Sequence, residues 1–417
     1  MSDELISILV LVVVFVIATT RSINMGALSF AAAFGVGELV AGFDADHIFA
    51  GFPGDLFVVL VGVTYLFALA RANGTTDWLV HAAIRLVRGR VALIPWVMFA
   101  ISGVLTAIGA VSPAAVAIVA PLALSFAARY RISPLLMGAM VVHGAQGGGF
   151  SPISVYGSIV NGIVEREKLP GNEVALFLAS LVVNLLIAAV VFVVCGGLKL
   201  PRTDTADASE EAAPDADARL TPARIATLVT LVALVVAVLA FDLDAGLTAI
   251  TLAVALSVFW PDHGKRAVNE ITWPTVLLIC GVLTYVGVLD EMGTITYAGN
   301  AVTDIGIPLL AALLLCYIGA IISAFASSVG IMGALIPLAV PFLSQGHIGA
   351  VGMIAALSVS ATVVDVSPFS TNGALVLAAA PDVDRDRFFR QLMIYGGIMV
   401  VVVPATVWLT MVVPCLG

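Results

Sequence analysis

The chain has 417 residues, 61% of them hydrophobic and 11% charged, with a formal net charge of −9. A soluble core cannot use that much apolar surface, so the composition excludes a separate water-soluble domain and a nucleic-acid partner and places most of the chain against lipid. The four cysteines, Cys195, Cys280, Cys316 and Cys415, lie far apart in apolar segments, with neither a disulfide framework nor metal-ligand spacing.

The first apolar stretch, Leu5 to Thr20, follows Asp3 and Glu4 rather than a basic segment and has no small-residue cleavage site. It reads as a retained membrane helix rather than a secretory signal. Leu56 to Ala70 comes next and approaches the roughly 20 residues that span a bilayer. Thr76 to Arg90 is shorter and mixed in polarity, and reads as an amphipathic helix lying at the membrane surface. Val91 to Tyr130 is about twice a single span and is broken midway by small and polar residues. It reads as a re-entrant hairpin (about 91–130) with its tip at Val111-Ser112-Pro113. The crossing after it, about 134–166, is interrupted by Gly147-Gly148-Gly149-Phe150-Ser151-Pro152-Ile153-Ser154, where Gly and Pro break the helix. Val174 to Val194 crosses again, and Pro201 to Pro222, rich in Ala, Asp, Glu and Thr, reads as a solvated linker.

The second half repeats this order. Ile225 to Phe241 and Trp273 to Leu289 read as spans, Thr294 to Ile305 as a second surface arm, and Ile307 to Gln345 as a second hairpin (about 307–345) with its tip at Ser327-Ser328-Val329. A second broken helix, about 348–380, carries Asp365-Val366-Ser367-Pro368-Phe369-Ser370-Thr371-Asn372-Gly373. An offset of 216 residues carries Pro121 onto Pro337, the first tip onto the second, and Ser151-Pro152-Ile153-Ser154 onto Ser367-Pro368-Phe369-Ser370. Phe52-Pro53 and Thr64-Tyr65 are answered at a similar distance by Trp273-Pro274 and Thr284-Tyr285. The expected fold is therefore an all-α polytopic membrane protein of two repeats, 1–200 and 223–417, joined by the linker 201–222.

Letting each long stretch cross once and each hairpin return to its own face puts 16 of the 18 basic residues on one side, leaving Arg166 and Lys168 opposite. The positive-inside rule makes the basic side cytoplasmic and both termini external, in a bacterial inner membrane. The two hairpins then start from opposite faces, so the repeats are inverted, an arrangement that puts a substrate site near the midplane at paired helix breaks.

Broken backbone at that depth is tolerated only when it lines a cavity or is buried in protein, so the breaks are the candidate binding site. Its residues are Ser112 and Pro113 at one tip, Ser327 and Ser328 at the other, Ser151, Pro152 and Ser154 in the first break, and Ser367, Pro368, Ser370, Thr371 and Asn372 in the second. Helix N-terminal amides and hydroxyls suit an anionic carboxylate, and carbonyls at facing C-terminal ends suit Na+. No Lys or Arg falls at midplane depth, which favours symport with cations. Asp365, the one acidic residue placed deep in the membrane, reads as the cation or proton site, with its repeat counterpart Gly149, the tip serines Ser112 and Ser328, and His143 as further coupling candidates. A packing role is at least as good a reading for His143, and Gln146 reads as satisfying exposed backbone. Asp46-His47 and Asp290-Glu291 read as solvated surface charge. No catalytic triad and no nucleotide-binding loop are present.

Asn24-Met25-Gly26-Ala27-Leu28, Phe49-Ala50-Gly51-Phe52-Pro53, Val63-Thr64-Tyr65-Leu66-Phe67, Thr76-Asp77-Trp78-Leu79-Val80, Ile94-Pro95-Trp96-Val97-Met98 and His143-Gly144-Ala145-Gln146 with the following Phe150 to Ser154 resemble the malonate or dicarboxylate carrier family of MatC type. That family is related to the divalent anion:sodium symporters. The resemblance is dense over the first half and looser over the second. It implies a homodimer, in which a transport domain holding both hairpins and both broken helices slides past a fixed scaffold as an elevator. It also implies a small dicarboxylate, malonate-like or of four carbons, as cargo, Na+ or H+ as coupling ion and no cofactor. Where the better-known symporters have Ser-Asn-Thr at both tips, this chain has Val111-Ser112-Pro113 and Ser327-Ser328-Val329, so only the serines carry over. An exporter or exchanger of another anion and a passive channel stand as alternatives, as does an intramembrane enzyme using Asp365 or His143 in acid–base chemistry, which lacks a second group at the same depth.

Overall fold

The computed structural model describes residues 2–21, 23–85, 90–200, 220–241, 243–295, 297, 308–324, 328–344, 348–380 and 384–415. All regular structure among them is helical. The first half runs α1 (Asp3–Arg21), α2 (Met25–Leu39), α3 (Ala45–Ala50), α4 (Gly54–Ala72), α5 (Thr75–Arg85), α6 (Ile94–Ala107), α7 (Ser112–Tyr130), α8 (Pro134–Gly148), α9 (Val155–Arg166) and α10 (Glu173–Val194). The second half runs α11 (Pro222–Phe241), α12 (Ala245–Phe259), α13 (Pro261–Asn269), α14 (Trp273–Glu291), α15 (Pro308–Ser323), α16 (Ser328–Ser344), α17 (Ala350–Val363), α18 (Thr371–Ala378) and α19 (Arg385–Val407). The linker falls almost wholly outside the described residues, as do the tip residue Ser327, the end of the first arm and most of the second arm.

Helix starts follow their capping residues. Asn24, Ser133, Ser154, Asn172 and Asp244 each accept a backbone amide of the first turn, satisfying donors that the helix itself leaves open. Among the described residues, six stretches are long and apolar enough to cross a bilayer: Gly54–Ala72, Ser112–Tyr130, Glu173–Val194, Trp273–Glu291, Ala350–Ala378 and Arg385–Val412. Of these, Ala350–Ala378 is 94% buried and Glu173–Val194 only 28%, so the second broken helix forms the centre while α10 offers most of its surface to lipid. Shorter apolar helices surround them, and the chain is a multi-pass membrane protein.

The halves interlock. Helix α2 packs on α14 and α4 on α12, so each half supplies one partner of both crossings. Each hairpin packs on its own broken helix, α6 and α7 on α8, and α15 and α16 on α17, while α7 meets α18 and α16 meets α9 across the halves. Small residues permit the tightest crossings, since in lipid close backbone approach replaces the hydrophobic drive. A Cβ on Gly26 would lie 1.8 Å from the Leu277 carbonyl oxygen, and one on Gly148 would lie 1.9 Å from that of Gly103. Pro121 sits inside α7 and Pro404 inside α19, the latter followed by a π-helical turn, Trp408–Val412, as expected where a proline removes a ladder bond.

Candidate functional site

The two breaks are built alike at the level of single hydrogen bonds. In the first, the Ser151 amide donates to the Gly148 carbonyl at 3.2 Å and the Ser154 amide to the Ser151 carbonyl at 2.9 Å. In the second, Ser367 donates to Val364 and Ser370 to Ser367, both at 3.0 Å. The Ser154 hydroxyl turns back onto the carbonyls of Gly149 and Ser151, and the Ser370 hydroxyl onto those of Asp365 and Ser367. Gly157 and Gly373 follow, and a Cβ on either would lie 2.0 Å from a carbonyl oxygen, that of Ser151 or of Ser367. Every one of these pairs is related by the 216-residue offset.

Around this shared frame the side chains differ. The Asp365 carboxylate, 3% exposed, receives at Oδ2 the amide nitrogens of Gln146 at 3.1 Å and Asn372 at 2.9 Å. Asn372 also donates to Ser112 Oγ at 2.8 Å, joining the second break to the first hairpin tip. Gln146 Oε1 and Asn372 Oδ1 are buried with no hydrogen-bond partner. Beside a carboxylate that already receives two amide donors, two unpartnered amide oxygens leave acceptor capacity that a cation satisfies. The Gln146 side chain thus binds Asp365 rather than exposed backbone; the Gln146 carbonyl instead accepts from Ser180 Oγ on α10 at 3.0 Å.

A cavity of about 480 Å³ opens beside this cluster. Pro113 and Ala114 line it from the first tip, Ser328 and Val329 from the second, and Tyr156, Asp365 and Thr371 from the breaks. Asn24 and Met25 of α2, and Thr272, Pro274 and Thr275 of α14, close the opposite wall. Residues of the first turns of α2, α7, α9, α14, α16 and α18 therefore all reach it, and no Lys or Arg is among its lining residues. Helices α7, α14 and α18 begin without a side-chain cap. Positive dipole ends converging on one space provide a setting for negative charge without a basic residue, although Pro113 and Pro274 each remove an amide donor and Asn24 and Ser154 cap amides of α2 and α9. A larger groove of about 810 Å³ between α10 and α19 is lined mostly by Val, Leu, Ile and Met and has no charged residue in its lining.

Of the residues expected at the site, Ser112, Pro113, Ser328, Asp365, Thr371 and Asn372 come together here. Ser151, Ser154, Ser367 and Ser370 build the breaks, and the first two and Ser370 spend their hydroxyls on carbonyls, with Ser151 Oγ reaching that of Ala107. Gly149, Pro152 and Pro368 shape the same turns. His143 is not among the lining residues. Its Nδ1 meets Asn184 Oδ1 at 2.9 Å and its Nε2 meets the Tyr395 hydroxyl at 2.6 Å. Asn184 donates to the Ser180 carbonyl at 2.9 Å, so this chain backs Gln146 from behind. Far from the cavity, exposed Asp44 and His47 pair at 2.6 Å, with Glu291 4.0 Å from the imidazole. The His47 amide and ring lower the Asp44 pKa, and the hydrogen bond to Asp44 raises that of His47.

Sequence reasoning passed over Tyr156 and the starts of α2 and α14 as site residues. The 216 offset, which lays Tyr156 on Asn372, was the available signal for the first. No local signal marks the second, because Asn24 Nδ2 reaches the Pro274 carbonyl, at 2.9 Å, across 250 residues of chain.

Residues 1–149 match the family model described as the N-terminus of the dicarboxylate carrier protein MatC, which shows the resemblance over that part of the chain. No curated protein matches the chain. Among solved structures, the YdaH transporter of Alcanivorax borkumensis superposes with a TM-score of 0.63 over 98% of each chain at 14% identity. At that identity the likeness is one of fold alone.

Proposed function

We propose, for a chain whose first 149 residues match the MatC-type dicarboxylate carriers, secondary active transport of a small dicarboxylate such as malonate or a four-carbon diacid, coupled to a cation. The observation that carries this reading is the cavity on which six helix starts converge with no basic side chain among its lining residues. Each helix end contributes about 0.3–1 kcal/mol toward an anion, and up to ~2 when partly buried. Several together can hold a dianion while leaving it free to depart, which a buried Arg would hinder.

Asp365 lines the same cavity and repels a dianion unless its charge is met. A cation held by the carboxylate with Gln146 Oε1 and Asn372 Oδ1 removes the repulsion and fills both unpartnered acceptors. Binding of substrate then favours binding of cation, the thermodynamic basis of symport. Na+ and H+ both meet this requirement.

In the orientation given by the charge rule, the cavity lies toward the cytoplasmic ends of α2 and α14, an inward-facing state. Contacts between distant residues agree with the sorting of loops between two faces, because each joins residues assigned to one side. Arg71 pairs with Glu270 at 2.6 Å and Arg224 donates to the Asn73 carbonyl on the inner side, while Arg166 donates to the Gly51 carbonyl at 2.8 Å on the outer. The moving body comprises the hairpins and broken helices, α6–α9 and α15–α18, carried as an elevator within a homodimer of the bacterial inner membrane, with both termini external.

The test is uptake of labelled malonate into proteoliposomes under an inward Na+ gradient, an inward H+ gradient or neither. Accumulation under one gradient, competed by succinate or malate, is the expected result and names the ion. No uptake under either gradient, with exchange only against an internal anion, sinks the symport reading.

A further inference from the structure

The offset that superposes the two breaks also shows where they diverge. Gly149 falls on Asp365, and Tyr156 falls on Asn372. Asn372 Nδ2 donates to Ser112 Oγ at 2.8 Å, and Tyr156 lines the cavity beside Pro113 of the same tip.

Tyr156 is held firmly. It is 3% exposed, its ring packs against Phe150 with centroids 5.7 Å apart, and a Cβ on Gly149 would lie 3.1 Å from its Cδ2. Its lining of the cavity makes it a fixed phenol beside the proposed cargo. The carboxylate of Asp365, with Gln146 Oε1 and Asn372 Oδ1, gives the second break to the cation. A substrate carboxylate is left to the side of the first break, where Ser151 and Ser154 have committed their hydroxyls to carbonyl oxygens. The polar side chain that remains there is Tyr156.

We propose that Tyr156 is a substrate-binding and length-selecting residue, its hydroxyl donating to one carboxylate of the dicarboxylate and its ring closing that end of the cavity. A phenol hydroxyl that donates to a carboxylate makes a charge-assisted hydrogen bond, roughly twice as strong as a neutral one. The pseudo-symmetric site thereby divides its work, with the second break for the cation and the first for the anion. This inference rests on the dicarboxylate reading above.

The experiment compares wild type, Tyr156→Phe and Tyr156→Leu in proteoliposomes with malonate, succinate and glutarate, and measures the malonate-induced rise in melting temperature in detergent. Tyr156→Phe keeps the ring and loses the donor, so its KM for malonate rises about tenfold or more while its ligand-free melting temperature and ion dependence hold. Tyr156→Leu shortens the wall and moves the preference toward succinate and glutarate. A Tyr156→Phe protein whose KM and malonate-induced stabilisation match a working wild type overturns the role of the tyrosine alone, whatever the leucine variant does. A wild type that neither transports nor is stabilised by any of the three acids overturns the dicarboxylate reading and the tyrosine's role with it.

Discussion

The first and second breaks share a backbone and differ in chemistry. Both use a serine whose hydroxyl turns back onto two carbonyls, and both follow it with a glycine that no other residue could replace without a clash. On that common turn one carries Gly149 and Tyr156, the other Asp365 and Asn372. The turn solves a problem both halves have, namely closing broken helix ends inside a membrane. Once it is solved, the side chains projecting from it are free to diverge. Symmetry therefore marks the candidate site, and departure from symmetry frames what it is proposed to do.

The largest expected effect comes from removing the one charge that separates the two breaks. Asp365→Asn keeps the volume but replaces one acceptor oxygen by a donor nitrogen and removes the negative charge that draws the cation. Cation-dependent uptake should fall about a hundredfold or more, the worth of one charged interaction at ~3 kcal/mol. Stability should not fall with it, because a neutral group is cheaper to bury than a carboxylate lacking a basic partner. Uptake and melting temperature measured on one preparation separate the two effects. Wild-type uptake with unchanged Na+ and pH dependence would remove Asp365 from the coupling site.

A second comparison sets the hairpins side by side. In the first, α6 lies so close to α8 that a Cβ on Gly148 would come 1.9 Å from the Gly103 carbonyl and 2.5 Å from Thr106 Oγ1. In the second, Val364, the counterpart of Gly148, already carries a side chain, and Gly319, the counterpart of Gly103, meets the Leu335 Cδ1 methyl at 3.3 Å. Gly148→Ala should cost about 3 kcal/mol, since backbone must move, whereas Gly319→Ala should cost well under 1 kcal/mol because a flexible methyl can yield. Thermal unfolding in detergent checks both. Equal losses would mean that the two hairpins are packed with equal tolerance.

Much of this frame was legible in the sequence, because its signals are local. Gly-Pro interruptions mark both breaks, and paired apolar runs mark both hairpins at bounds close to those of α6–α7 and α15–α16. The 216 offset then matches one half to the other. What the sequence concealed was which side chains meet. Gln146 and Asp365 are 219 residues apart, and Asn372 and Ser112 are 260 apart. Periodicity cannot report a contact across such distances. The expectation that the Gln146 side chain satisfies exposed backbone failed for this reason: its amide donates to Asp365, while Gly149 and Ser180 donate to its own carbonyl.

The smallest effect tests the division of labour most finely. Ser154→Ala and Ser370→Ala each remove a hydroxyl that holds two carbonyls, so each should lower stability by a similar ~1–2 kcal/mol. Their functional consequences should differ. The Ser370 hydroxyl pins the backbone of Asp365 itself, at 2.6 Å from its carbonyl oxygen. Its loss loosens the carboxylate and should raise the cation concentration for half-maximal uptake about threefold, with little change in the KM for the acid. The Ser154 hydroxyl supports the turn that leads into Tyr156, so its loss should raise the KM for the acid and leave the cation dependence alone. Titrating each variant against both ligands gives a two-by-two result. If both serines shift both constants equally, the breaks act as one undivided site, and the asymmetry of Asp365 and Tyr156 has no counterpart in function.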